Sequence, residues 1–201
     1  MLFDPACDCH DNIMSKKLFV LIGRMQPPTI GHESIWLYAR DNLMHEGDKL
    51  LIISGSANES RTFRNPFTVE ERHQMLKSVL DEDMKDFDYE LDSINDSDNN
   101  YNAWIRDLKR IIREHNHKNE YRPVIIGHDD IRTYARKADL PSHVIPVKIR
   151  THGTRARLEL LEGDFDKVRC PEPVKKWLKK HNATRLIQKI CEKELLKEMA
   201  E

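Results

Sequence analysis

Three short runs of consecutive apolar residues constrain this chain more than anything else in it: Leu18-Phe-Val-Leu-Ile22, Leu50-Leu-Ile-Ile53 and Val124-Ile-Ile126. A strand with one wet face alternates apolar and polar residues. Unbroken runs of strand length belong to strands covered on both faces, as in parallel sheets flanked by helices. The sequence between the runs reads as helix. Residues 31–45 carry Ile35, Leu37, Tyr38 and Leu43. Thr68 to Leu80 opens with a capping-box pair, Thr68 and Glu71, with Pro66 just ahead. Phe87, Tyr89, Leu91 and Ile94 suggest a further strand within the acid-rich stretch 81–98, and Trp104, Leu108, Ile111 and Ile112 fall at helical spacing. A fifth strand is expected over Val144–Ile149, then a short helix from Thr154 to Leu161. From Pro171 the chain reads as helical and basic, with a break near Asn182. Strands alternating with helices predict a right-handed, doubly wound α/β fold with five parallel strands. We read a polar leader over residues 1–15 and one domain over 16–201, ending in a helical segment at about 171–200. Ligands of open α/β sheets sit beyond the carboxyl ends of the strands, so chemistry is expected in the residues that follow each run.

Charge and composition exclude several functions. The 201 residues carry 33 Lys+Arg against 34 Asp+Glu, so a global basic field for nucleic acid is absent. No apolar run reaches the roughly 18 residues of a membrane span. The N-terminus has Asp4, Asp8 and Asp11 and no basic segment leading an apolar one, so an export signal is not expected. The four cysteines, Cys7, Cys9, Cys170 and Cys191, then read as thiols in a reducing, cytoplasmic compartment. Cys7, Cys9 and His10 lack a second ligand pair at zinc spacing, and no metal site is expected. The lysines at 175, 176, 179 and 180 read as a solvated helix face, docked by Val174, Trp177 and Leu178.

The loop after the first run reads Gly23-Arg-Met-Gln-Pro-Pro-Thr-Ile-Gly-His32 and opens a helix. A helix N-terminus offers unpaired N–H groups and partial positive charge to an anion. Gly31 allows close backbone approach, His32 can donate to a phosphate oxygen (more strongly when protonated), and Arg24 can fork onto phosphate. Neither a Walker A pattern nor a dinucleotide GxGxxG is present. Thr154 reads as an N-cap that puts Arg157 in the first helical turn. There it opposes the helix dipole by about 0.3–1 kcal/mol, and an external anion would remove the conflict. Ser54, Gly55 and Ser56 form a tight exit from the second run, with small residues and amides that would suit a ligand. Trp104 shares a helical face with Leu108 and Ile111, which is equally the pattern of a core residue. Gly127 follows the fourth strand, and the neighbouring His128 reads as structural.

GRMQPPTIGH resembles the GRxQPxHxGH segment of nicotinamide-mononucleotide adenylyltransferases. The likeness is greatest to the archaeal type and the bacterial type fused to a Nudix domain, within the wider (H/T)xGH nucleotidyltransferase superfamily. Three more segments follow in family order. Ser54–Ala57 with Arg61–Arg72 resembles GSAxxSRxxxNPFTxxER. Asn102-Ala-Trp104 resembles an NxxW segment one residue longer. Gly153–Arg157 with Leu160–Gly163 resembles SGTxxRxxxLxG, with His152 where the family usually has Ser. No Nudix box occurs, and the chain ends too early to hold that domain. The resemblance implies a Rossmann-like nucleotidyltransferase fold and transfer of AMP from ATP to nicotinamide mononucleotide (NMN), giving NAD and pyrophosphate. It implies His32, Thr29 and Arg157 as catalytic residues, Thr29 standing for the first histidine of the common motif. It implies Gly23, Arg24, Met25, Gln26, Gly31, His32, Gly127, Thr154 and Arg157 around ATP. It implies Ser54, Gly55, Ser56, Arg64, Asn102 and Trp104 around NMN, with Trp104 stacked on the pyridine ring. Mg²⁺ would arrive with ATP. Partners would be these two small molecules, with neither nucleic acid nor membrane, and a homo-oligomer. The rival readings are an adenylyl- or cytidylyltransferase with another phosphorylated acceptor, and a nucleotide-binding regulator without turnover.

Overall fold

The computed structural model describes residues 15–97, 100–128, 130–146, 149 and 151–200. The leader, with Cys7, Cys9 and His10, lies almost wholly outside them. The elements run β1 (Lys16–Gly23), α1 (Ile30–Asn42), β2 (Lys49–Ser54), α2 (Val69–Asp83), β3 (Asp88–Ser93), α3 (Tyr101–Glu114), β4 (Tyr121–Gly127), α4 (Ile131–Ala138), β5 (Ser142–Val144), α5 (Gly153–Leu161), α6 (Glu172–Lys180) and α7 (Ala183–Glu198). The strands form one sheet in the order β3-β2-β1-β4-β5. Every neighbouring pair is parallel.

The unbroken apolar runs behave as expected. Successive side chains on a strand point to opposite faces, and both faces of this sheet are covered. Phe19, Leu21, Leu50 and Ile52 enter a core with Trp36 of α1, Leu76 of α2, Leu160 of α5 and Leu178 of α6. Leu18, Val20, Leu51 and Ile53 enter a second core with Leu108 and Ile112 of α3 and Ala135 of α4. The sheet is therefore doubly wound. The expected Val144–Ile149 strand is a correction: β5 is three residues long and starts at Ser142, and Ile145 and Pro146 lie beyond it. Residues 147, 148 and 150 lie outside the described residues. Asn182, at φ +52, separates α6 from α7, where the break was expected. On α6, Val174 and Leu178 are buried, while Trp177 donates to Gln74 of α2.

Strand order reverses direction between β1 and β4, because successive elements build outward from β1 to β3 on one side and from β4 to β5 on the other. Chain ends at such a point diverge and leave a crevice above the carboxyl ends of the two strands.

Candidate active site

A cleft of about 870 Å³ opens at that rim. Its lining draws on the segment after every one of the first four strands: Gly23 and Arg24 after β1, Gly55 and Ser56 after β2, Asp96 and Ser97 after β3, and Asp130 after β4. Arg64, from the loop ahead of α2, closes one side. Tyr101 and Trp104 of α3 and Tyr134 of α4 form the other. Two residues flanking the cleft take positive φ without being glycine, Met25 at +52° and Ser56 at +50°. Such conformations cost on the order of 1–3 kcal/mol each, and persist only where surrounding contacts impose them.

Those contacts are visible. Met25 is fully buried and its side chain belongs to the core. Its side chain anchors the loop and is not part of the cleft lining. The Gln26 side chain is 2 % exposed. Its Nε2 donates to the Phe67 carbonyl at 2.8 Å, and its Oε1 accepts from the Phe67 N–H at 3.0 Å. Gln26 thus ties the loop after β1 to the start of α2 rather than contacting a ligand through its side chain.

Thr29 is the N-cap of α1, and His32 occupies the position where a capping box usually has Glu or Gln. The Thr29 backbone N–H donates to His32 Nδ1 at 3.0 Å. That nitrogen is then an acceptor, so the neutral ring carries its proton on Nε2, the atom on the side of Gly23. Burial among the loops, and to a lesser degree the neighbouring His128, lower the imidazole to about 4. His32 is therefore a neutral N–H donor at pH 7, not the imidazolium considered from sequence. Gly31 is also needed for a contact within the protein: a Cβ there would sit 2.4 Å from Thr151 Oγ1.

Guanidinium groups dominate the electrostatics. Arg157 is 3 % exposed. Its Nη1 donates to the Gln26 carbonyl at 2.8 Å and Nη2 to Thr154 Oγ1 at 3.0 Å, while its buried Nε has no partner among the described residues. Burial, and after it the charges of Arg24 and Arg64, lower its pKa to about 10. Its expected position needs correcting. The N-cap is His152 and Thr154 lies inside α5, so Arg157 is two positions deeper than the sequence suggested, past the first turn. The anion-seeking cation remains, carried by burial beside two other cations rather than by the helix dipole.

Arg72 was not anticipated. It is fully buried on α2 and its Nη1 donates to the carbonyls of Arg24, at 2.7 Å, and Gly55, at 2.6 Å. One guanidinium thus clamps the loops after β1 and β2. A signal was present in the sequence: Arg72 shares the helical stripe of Met75, Leu76 and Val79, where a charge needs a reason. The capping box of α2 forms as expected. Its Glu71 also receives both Arg61 guanidinium nitrogens at 2.8 Å.

The opposite wall is aromatic. Tyr101 lies 6.1 Å from Trp104 and 6.2 Å from Tyr134, centroid to centroid, and Trp104 lies 5.4 Å from Tyr134. Trp104 satisfies both readings of its spacing: it packs against the second core and lines the cleft. Asn102 is exposed and absent from the lining; Asn100 lines the cleft instead and caps α3 by accepting from the Ala103 N–H at 3.1 Å. Of the other expected contacts, Gly23, Arg24, Gly55, Ser56 and Arg64 line the cleft. Ser54, Gly127 and Thr154 are not in its lining. Ser54 is fully buried, and Gly127 would strike Ile131 if it carried a Cβ. Tyr101, Tyr134 and Asp96 went unrecognised because nothing local in the sequence marks residues that only topology brings together.

A parallel sheet with a cleft at its carboxyl rim, an imidazole donor at a helix start and converging guanidinium groups defines an α/β nucleotidyltransferase fold. A family model described as "Cytidylyltransferase-like" matches residues 20–151. The chain is 28 % identical over 156 residues to a nicotinamide-nucleotide adenylyltransferase of Thermoplasma volcanium, covering 77 % of this chain and 81 % of that protein. It is likewise 28 % identical over 177 residues to one of Methanococcus maripaludis, covering 87 % and 95 %. Among solved structures it resembles a bifunctional NMN adenylyltransferase/ADP ribose pyrophosphatase from Francisella tularensis complexed with AMP and a Mn ion. The TM-score is 0.74 at 23 % identity, a likeness of fold, and it covers 91 % of this chain and 54 % of that one. The chain therefore spans about half the length of that bifunctional protein. This chain belongs to the cytidylyltransferase-like family and is a nucleotidyltransferase.

Proposed function

We propose that the protein transfers AMP from ATP to nicotinamide mononucleotide, forming NAD and pyrophosphate. The observation that carries this reading is the gathering of guanidinium groups beside one cleft, Arg24 and Arg64 in its lining and the buried Arg157 on which both act as like charges, with Tyr101, Trp104 and Tyr134 in the same lining. A buried cation without a carboxylate partner is costly, and a bound polyphosphate offsets that cost with charge-assisted hydrogen bonds. A flat cationic ring such as pyridinium is suited to the surface made by Tyr101, Trp104 and Tyr134.

The mononucleotide phosphate is already an anionic nucleophile, so the chain needs no general base. Its oxygen attacks the α-phosphorus of ATP in line. A new P–O bond forms as the bond to the bridging oxygen breaks, and that electron pair leaves with pyrophosphate. The barrier lies in bringing two polyanions together, which positioning and electrostatics lower. His32 Nε2–H donates to the α-phosphate, and Arg24, Arg64 and Arg157 take up phosphate charge. Thr29 acts through its hold on the His32 ring.

Mg²⁺ fits this site as an ion carried by ATP. The cleft carboxylates Glu59, Asp96 and Asp130 sit on separate segments. Among the described residues no group of three or more His, Cys, Asp or Glu is placed to hold a metal. Bound mainly by phosphate oxygens and water, as is usual for this ion, it would neutralise charge on the leaving pyrophosphate. No helix among the described residues is long and apolar enough to cross a membrane, which fits small soluble substrates.

The test is a coupled assay with ATP, Mg²⁺ and either the amide or the acid form of the mononucleotide, following pyrophosphate and dinucleotide together. Formation of both in equal amounts supports the reading. Pyrophosphate release only with a different phosphorylated acceptor points to another transferase of the family, and tight ATP binding without release points to a regulator.

A further inference from the structure

Thr151 stands 120 residues from Gly31 and 122 from Thr29, outside every segment the sequence singled out, yet it enters the cap that holds His32. The directions of its hydrogen bonds follow step by step. The Thr29 backbone N–H can only donate, and it donates to His32 Nδ1 at 3.0 Å. Nδ1 is therefore an acceptor, and the Thr29 hydroxyl, 3.0 Å from the same nitrogen, can bond it only as a donor. With its proton spent there, Thr29 Oγ1 must accept from the Thr151 hydroxyl at 2.7 Å. Thr151 Oγ1 in turn accepts from the Gly31 backbone N–H at 3.1 Å. The chain of donors runs Gly31 N–H, Thr151 O–H, Thr29 O–H, His32 Nδ1. It begins and ends on one helix start, with Thr151 as the link supplied from the segment ahead of α5.

We propose that Thr151 is a positioning residue that fixes His32 in the Nε2–H tautomer, so that the proton is held on the atom facing the nucleotide. A proton on Nδ1 would face the Thr29 backbone N–H, which can only donate, and would have to reverse the Thr151–Thr29 hydroxyl pair. Its packing supports the role, since Gly31 has room for Thr151 Oγ1 only by lacking a Cβ. The low imidazole pKa, due to burial and His128, keeps the ring neutral, so that a single tautomer carries the function.

The inference rests on His32 serving the adenylyl transfer proposed above, but its decisive readout does not. In the full chain with ¹⁵N-labelled histidine, the His32 resonances, assigned by their loss in H32N, should show Nε2 protonated and Nδ1 bare. T151V should move them toward a mixture of tautomers and lower kcat roughly three- to tenfold, as expected for a weakened donor to the α-phosphate, with the KM for the mononucleotide unchanged. T151S should restore both. A wild-type ring protonated on Nδ1 overturns the proposal even if T151V fails to fold. So does a folded T151V whose His32 resonances match the wild type. Lack of NAD formation alongside the expected resonances would instead fault the assigned reaction and leave the tautomer assignment standing.

Discussion

The two walls of the cleft are built on opposite principles. The wall formed by the loops after β1 and β2 is held by buried polar groups. Arg72 bonds Arg24 and Gly55, Gln26 bonds Phe67, Arg157 bonds Gln26, and Thr29 bonds His32. These bonds fix the backbone of the two loops before a ligand arrives. The wall formed by α3 and α4 is aromatic and half-exposed, with Tyr101, Trp104 and Tyr134 stacked in loose contact. The difference assigns them different work. A preorganised polar wall can stabilise charge that develops only in the transition state. An aromatic surface recognises a ring by area and quadrupole and tolerates small displacements.

If that division holds, substitutions on the polar wall should act on turnover and ATP, and those on the aromatic wall on the acceptor. The largest effect is expected for His32→Ala, which should lower kcat by at least about tenfold, in the range of a lost transition-state donor, while ATP binding stays measurable by calorimetry. In the wild type the same residue should impose no inflection near pH 6.5. With its pKa near 4 it loses the neutral form only as pH falls toward that value, and a kcat profile breaking at 6.5 would reassign its state. Arg157→Ala should weaken ATP by about tenfold, as for loss of one charge-assisted pair, and the mononucleotide less. The reverse order would move Arg157 to the acceptor side. Trp104→Ala should raise the KM of the mononucleotide by about threefold to tenfold, the scale of one cation–π contact, leaving that of ATP alone. An equal rise in both would mean that its packing on the core is what matters.

The smallest effect expected is on stability, at the opposite end of the sheet. His115, at the end of α3, bridges Glu90 and Asp92 of β3, the Asp92 contact being 2.7 Å. Burial opposes its protonation, but the bonds to Asp92 and Glu90 outweigh that and raise its pKa. Its stabilisation is then full below the ordinary histidine value and is lost as pH rises through the raised one. His115→Gln should lower Tm more at pH 6 than at pH 9; equal losses would show that the bridge does not depend on charge.

The polar wall was largely legible in the sequence because its parts lie close together along the chain. GRMQPPTIGH and the Thr68/Glu71 cap are local patterns with local physical meanings. The doubly wound sheet was legible for a similar reason, since unbroken apolar runs leave few alternatives. What remained hidden was long-range. Arg72 looks like one arginine of a charged helix until its carbonyl partners 48 and 17 residues away are seen. Tyr134 carries no motif and reaches the cleft only because α4 starts where β4 ends. The inward side chains of Met25 and Gln26 were hidden too, because a motif marks which residues matter and not which way they point.

Gln26 carries a consequence of its own. Its amide meets both backbone groups of Phe67, so a side chain takes the place of a strand-like neighbour between segments 41 residues apart. The loop after β1 and the turn that launches α2 are therefore spliced at one point. Lengthening either would pull on that splice, and a shift of one carries the other with it.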